Sequence, residues 1–141
     1  MNIDNEYKNI INKDVVIYVY GKEDDTIERQ VRELKSFCNL YKLNLCDVYI
    51  DQFGSNRFEN KISLKRLIEN NSNINVLIID FDRLSRDAVD LFDIYKQCRN
   101  KYIDFYDTRL GKFLSDTYFT LFQDMIEEVD DKGGEAYAKK T

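Results

Sequence analysis

The chain has no histidine, which removes every mechanism that depends on an imidazole base. Its three cysteines, Cys38, Cys46 and Cys98, are odd in number, widely spaced and set among apolar residues. They read as buried free thiols of a cytoplasmic protein rather than as a disulfide framework, and no close pair offers a zinc site. Neither a metal nor a cofactor is expected. Proline is absent too, so glycine, asparagine and aspartate must shape the loops. No apolar run approaches the roughly 18 residues that span a bilayer, and the polar stretch from Met1 to Lys13 does not read as a secretion signal. No membrane contact is expected. Basic charge is short: 21 lysines and arginines face 26 acidic residues, a net charge of −5. Strong autonomous DNA binding is therefore not expected, and any such contact should be weak or indirect.

What is present suffices for one ordinary core: 43% of the 141 residues are hydrophobic. Strand and helix patterns alternate. Val15 to Val19 reads as a first buried strand, and Ile27, Val31, Leu34, Cys38 and Tyr41 then recur at helical spacing. Leu45 to Ile50 reads as a second strand, followed by a short helix marked by Leu64, Leu67 and Ile68. Val76 to Ile79 is a third strand, and the next helix turns Leu91, Phe92, Tyr95 and Cys98 inward. Tyr102 to Tyr106 is a fourth strand, expected at an edge. The fold class that follows is α/β: a mostly parallel sheet of four to five strands with helices on both faces.

The last helical stretch differs. From Leu110 to Val129 the apolar residues cover about half the circumference at 100° per residue, more than one sheet face can bury. A second buried surface is expected there, with Phe113, Tyr118, Phe119, Phe122, Met125 and Ile126 forming an interface between copies as a dimer or tetramer. The expected layout is an α/β domain over 1–109, a long self-association helix over 110–129 and a polar tail over 130–141.

The densest chemistry lies where the third strand breaks into Asp80-Phe81-Asp82-Arg83-Leu84-Ser85-Arg86-Asp87. Open α/β sheets bind ligands at the carboxyl ends of their strands, and two guanidiniums three residues apart suit a phosphate. Arg83 and Arg86, with Lys61 close in space, are therefore the candidate anion site, and Lys22 is a further cation expected nearby. Arg57, Lys65 and Arg66 extend the candidate basic patch. Ion pairing of the arginines with Asp82, Asp87 or Asp51 is the structural alternative.

Asp82-Arg83-Leu84-Ser85-Arg86 after a strand resembles the signature of the resolvase/invertase (serine recombinase) catalytic domain. The segments Glu28 to Leu34, Val48 to Asp51, Leu64 to Leu67, Asp107-Thr108 and Gly111-Lys112 resemble further parts of that family in the right order. The resemblance implies a resolvase-like fold with a long dimerisation helix. It also implies a seryl nucleophile that attacks a DNA phosphate, with arginines around it. The family's first strand ends Tyr-x-Arg-x-Ser, and the matching residues here are Tyr18-Val19-Tyr20-Gly21-Lys22. The expected arginine falls on Tyr20 and the nucleophile on Lys22, while no serine precedes Ser36. Two more expected arginines fall near Lys61 and Ile126. Gln30, Asp51, Asp82, Arg83 and Arg86 match polar family positions.

An ammonium has no lone pair with which to attack phosphorus, so the expectation is a catalytically degenerate family member. It would act as an oligomeric regulatory or accessory protein in recombination, mobile elements or gene control, with an active recombinase or a regulator as another partner. Unless the chain is a fragment, the short polar tail implies that the family's helix-turn-helix is not expected here. Two other readings remain open. A receiver-like phosphoacceptor would use Asp24, Asp25 and Asp80 with magnesium. An active recombinase would need an unconventional nucleophile such as Thr26, which reads more simply as the cap of the following helix.

Overall fold

The structure, a computed structural model, describes residues 13–52 and 56–116. Its centre is β1 (Asp14–Gly21), every residue of which is buried except Asp14. A strand covered on both faces needs a continuous apolar run, which Val15 to Val19 supplies. Successive side chains point to opposite faces. Val16, Tyr18 and Tyr20 enter one core with Leu64, Leu67, Ile78, Ile94 and Phe105. Val15, Ile17 and Val19 enter the other with Ile27, Leu34, Leu77, Ile79 and Tyr106. Helix α1 (Asp24–Leu40) closes the second core, and α2 (Ile62–Asn70) and α3 (Ala88–Arg99) close the first.

The remaining strands are β2 (Asn44–Gln52), β3 (Ile74–Ile78), β4 (Ile103–Asp107) and β5 (Lys112–Phe113), in the order β2-β1-β3-β4-β5. The first four run parallel, and β5 pairs antiparallel to β4 through Tyr106–Phe113 and Asp107–Lys112. The carboxyl ends of β1 and β3 therefore lie side by side.

Several expectations need correction. The fourth strand is not an edge, because Gly111 allows a tight turn at φ 69° and β5 folds back along it. The long helix does not begin at 110. Residues 108–111 form that turn, 112–113 are strand, and helical backbone starts at Leu114. Phe113 accordingly packs edge-on against Tyr106 of its own sheet at 4.8 Å. Tyr118, Phe119, Phe122, Met125 and Ile126 lie outside the described residues. Cys46 is exposed, not buried, because Val15 pairs with Leu45 and Val16 with Asp47, which leaves Cys46 in a bulge. In α3 the deepest residues are Ile94, Cys98 and Asp90, whereas Leu91, Phe92 and Tyr95 only flank the core. Thr26 does not cap α1. Glu23 holds the capping position without a side-chain bond, and Thr26 sits inside the first turn.

Loop shaping is also less orthodox than composition implies. Besides Asn73 and Gly111, the described residues with positive φ are Lys42 at 56° and Tyr102 at 57°. Lys42 ends α1 in a paired-bond cap: Leu43 N donates to Cys38 O at 2.9 Å and Lys42 N to Asn39 O at 3.4 Å. Burial of Leu43 beside Cys38 offsets the backbone cost of a side chain in the left-handed region.

Candidate functional site

The site is built at the carboxyl ends of β1 and β3. Chain direction brings Tyr20 and Gly21 to the end of β1, while β3 runs out into Asp80 and a 3-10 turn, Phe81–Arg83. Tyr20 is the hub. Its carbonyl accepts a hydrogen bond from Gln30 Nε2 at 2.8 Å and a long one from Arg83 Nη1 at 3.5 Å. Its ring lies under the Lys61 ammonium, 4.3 Å from Nζ to the centroid. Tyr20, Gln30, Lys61 and Arg83 thus converge.

Lys61 is 1% exposed, and its ammonium is fully committed. Nζ donates to Arg83 O at 2.8 Å, to Leu84 O at 2.6 Å and to Asn56 Oδ1. Three donors meet three protein acceptors, so the expected anion ligand is a bolt holding the arginine loop to the start of α2. Burial is the dominant influence on its pKa and lowers it from 10.5 to about 8, against the pull of Asp51 and Asp90.

Asp51 lies beside this bolt with a different task. Its carboxylate accepts from Ser63 N at 2.8 Å and Leu64 N at 3.0 Å, capping α2 from a neighbouring strand. It also accepts the Tyr18 hydroxyl at 2.8 Å, and burial together with that carboxylate drives the Tyr18 pKa upward. Gly21 has its own constraint. A Cβ there would sit 3.0 Å from Ile27 Cγ1 and 3.4 Å from Gln30 Nε2, so α1 can approach β1 only over glycine.

The two signature arginines do not share one environment. Arg83 is turned inward, with Nε 3.5 Å from Asp80 Oδ1. Arg86 has a side chain 78% exposed and stands 3.9 Å from an Asp82 that is itself exposed. Lys22 is exposed on the loop after β1.

The sequence reading missed four participants. Asp80, weighed only as a phosphoacceptor, pairs with Arg83 and, at 3.8 Å, with Arg109, which also holds Glu33 of α1 at 3.2 Å. Asp90 anchors the other side of the arginine loop. It accepts Arg57 Nε at 2.8 Å and Nη2 at 3.1 Å, Phe58 N at 3.0 Å and Ser85 Oγ at 3.3 Å. The Arg57 bond leads the influences that hold the Asp90 carboxyl below its usual range. An acidic residue in the first turn of a helix is so common that nothing in the pattern marked it. Asp107, fully buried, accepts from Phe81, Arg109 and Leu110 backbone N–H groups at 3.2, 2.9 and 2.7 Å and sets both turns. Burial raises its pKa and those three donors oppose the shift. Asn56, the fourth, is held by Lys61 and donates to Asp82 O at 3.2 Å.

A family model described as the resolvase N-terminal domain matches residues 19–141. The chain belongs to the resolvase family. Solved structures agree on the resolvase fold. The N-terminal catalytic domain of TP901-1 integrase is similar at 24% identity and a TM-score of 0.66, covering 87% of this chain and 98% of that one. A resolvase family site-specific recombinase from Streptococcus pneumoniae is similar at 16% identity and a TM-score of 0.63, covering 90% and 97%. The C-terminal catalytic domain of ISC1926 TnpA, an IS607-like serine recombinase, is similar at 22% identity and a TM-score of 0.58, covering 91% and 88%. No curated protein matches the chain. At these identities the likeness speaks for the fold and leaves the chemistry to the residues.

Family membership displaces the receiver reading, and the geometry gives the physical reason. Asp24 and Asp25 are exposed, Asp24 is held by Gln52 Nε2, and Asp80 is committed to two guanidiniums rather than presented to a cation. Among the described residues, no helix is long and apolar enough to cross a membrane.

Proposed function

We propose that this resolvase-family domain does not cleave DNA and serves as an oligomeric accessory or regulatory protein in recombination, mobile elements or gene control. The observation that carries the reading is the loop at the end of β1. It runs Gly21-Lys22-Glu23, with no hydroxyl where the family resemblance expects the attacking serine. The described serines nearby have other work. Ser85 is fully buried, with its hydroxyl shared between Asp90 and the Asp87 N–H, and Ser63 Oγ donates to Ile50 O. Around that loop, Tyr20 fills an expected arginine position with a buried ring, and Lys61 fills another with an ammonium whose donors are spent.

Transfer of a phosphoryl group needs an activated nucleophile and preorganised positive charge at the developing oxyanion. In this reading Arg83 is the centre of an anion site, held from behind by Lys61, with Arg86 at its exposed rim. Self-association through the helical segment that begins at Leu114, with hetero-association with an active recombinase as a variant, completes the proposal. An active enzyme using Thr26, a hydroxyl residue in the first turn of α1 just after that loop, is the competing reading.

Two experiments test the proposal. Incubation with supercoiled plasmids carrying candidate recombination sites should yield no nicked, linear or recombined product, and any such product would defeat the non-cleaving reading. Light scattering of the full chain should give the mass of a dimer or tetramer, and a monomer at high micromolar concentration would defeat the oligomeric one.

A further inference from the structure

Asp80 and Arg83 form a contact whose geometry is unfinished. Asp80 precedes a single 3-10 turn and Arg83 ends it, so carboxylate and guanidinium are brought together at 3.5 Å between Oδ1 and Nε. That is an ion pair without a hydrogen bond. Both atoms are buried, and neither has a hydrogen-bond partner among the described residues. Gln30 Oε1, on a residue 3% exposed, is unpartnered in the same way, while Gln30 Nε2 and Arg83 Nη1 converge on Tyr20 O. The contrast within this chain is Arg57 on Asp90, where two short bonds at 2.8 and 3.1 Å make a matched fork. Arg83 has a nearby negative charge but not a fitted partner. Arg109, meanwhile, stands 3.8 Å from the second oxygen of Asp80 and offers that carboxylate another place to rest.

We propose that Asp80 is an internal competitor for the anion that Arg83 would otherwise bind, and so a specificity-determining residue of the site. This rests on the reading of Arg83 and Arg86 as an anion site. A tethered carboxylate is present at high effective concentration, and it repels any incoming anion of like sign. A phosphate engages the buried Nε edge of Arg83 by displacing Asp80 toward Arg109. A singly charged phosphodiester has little electrostatic advantage over the resident carboxylate, whereas a doubly charged phosphate has more. The domain is thus held off a DNA backbone by its own side chain.

The test is a titration with inorganic phosphate at fixed ionic strength, followed by calorimetry and by thermal melting, on wild type, Asp80→Asn, Arg83→Ala and the double variant. Asp80 makes no side-chain capping bond to the turn it precedes and asparagine keeps its shape, so the turn should persist when the charge is removed, and Asp80→Ala serves as a second variant. Removing a negative charge at this range should tighten phosphate binding on the order of tenfold, and the gain should vanish in the double variant. Equal phosphate affinity in wild type and Asp80→Asn, lost in Arg83→Ala, would overturn the competitor while leaving the anion site standing. A gain that survives in the double variant would reduce the effect to net charge and overturn the competitor as well. No phosphate binding in any variant would overturn the anion site and the competitor together. Failure of both Asp80 variants to fold would show Asp80 to be a structural residue and would also sink the proposal.

Discussion

Replacing Lys61 by methionine probes the account of the arginine loop at its most exposed point, because a buried charge leaves a signature in pH. At neutral pH the substitution strips the donors from Arg83 O and Leu84 O. Each buried carbonyl left alone costs about 1–3 kcal/mol, and relief from burying an ammonium offsets part of that. The net loss should be about 1–3 kcal/mol. The pH dependence is more specific. Burial lowers the Lys61 pKa from 10.5 to about 8 in the folded chain. Between those values the unfolded chain binds more protons than the folded one, so the Lys61 contribution to stability rises with pH. A shift of that size is worth about 3 kcal/mol in full, of which about 2 kcal/mol should develop between roughly pH 7.5 and pH 10. Other groups move in the opposite sense. Burial raises the Cys38 thiol to about 11 and the Cys98 thiol to about 12, so folding loses stability as pH rises above the ordinary thiol value. Those terms are common to wild type and Lys61→Met and cancel in the difference. Urea denaturation of both proteins across this range gives the difference directly. It should widen in favour of wild type as pH rises. A constant difference would mean that the Lys61 ammonium is solvated, and a shrinking one would refute the sign of the argument.

Asp90→Ala should destabilise the domain by about 2–3 kcal/mol in chemical denaturation, because it leaves the Phe58 N–H without its acceptor and Ser85 Oγ with only a long bond to Asn56 O, whereas Arg57→Ala should cost clearly less. Asp51→Ala should cost about 2 kcal/mol and show up as faster amide exchange in the first turn of α2, where Ser63 and Leu64 lose their cap. Lys42→Gly should raise stability by up to about 1 kcal/mol in the same denaturation assay, because glycine fits φ 56° without strain while the paired-bond cap persists.

Much of the fold was legible because β1 and β3 are apolar runs and α1 repeats its apolar residues at 3.6 spacing, signals that survive without any partner information. What was lost were features only tertiary contact decides. Lys112-Phe113 is too short a strand to announce itself, so the turn at Gly111 was absorbed into the following helix and β4 was left at an edge. Cys46 has an apolar setting in sequence, but a bulge turns it outward. In the site, residue types were read correctly but their directions were not. A lysine and two arginines close in space suggest one cationic cleft. The structure instead spends Lys61 on carbonyls, pairs Arg83 with Asp80 and leaves Arg86 outside. Sequence spacing gives the distance between groups along the chain, not which donors are already satisfied.

The central claim is that the loop after β1 carries no nucleophile, and covalent capture tests it most directly. The full chain would be incubated with nicked DNA substrates that trap a protein–phosphate linkage, then denatured and weighed intact by mass spectrometry. The account predicts only the mass of the free chain, in wild type and in Thr26→Ala alike. An added mass equal to the trapped strand, mapped to Lys22, to another residue of that loop or to Thr26 in the turn after it, would contradict it.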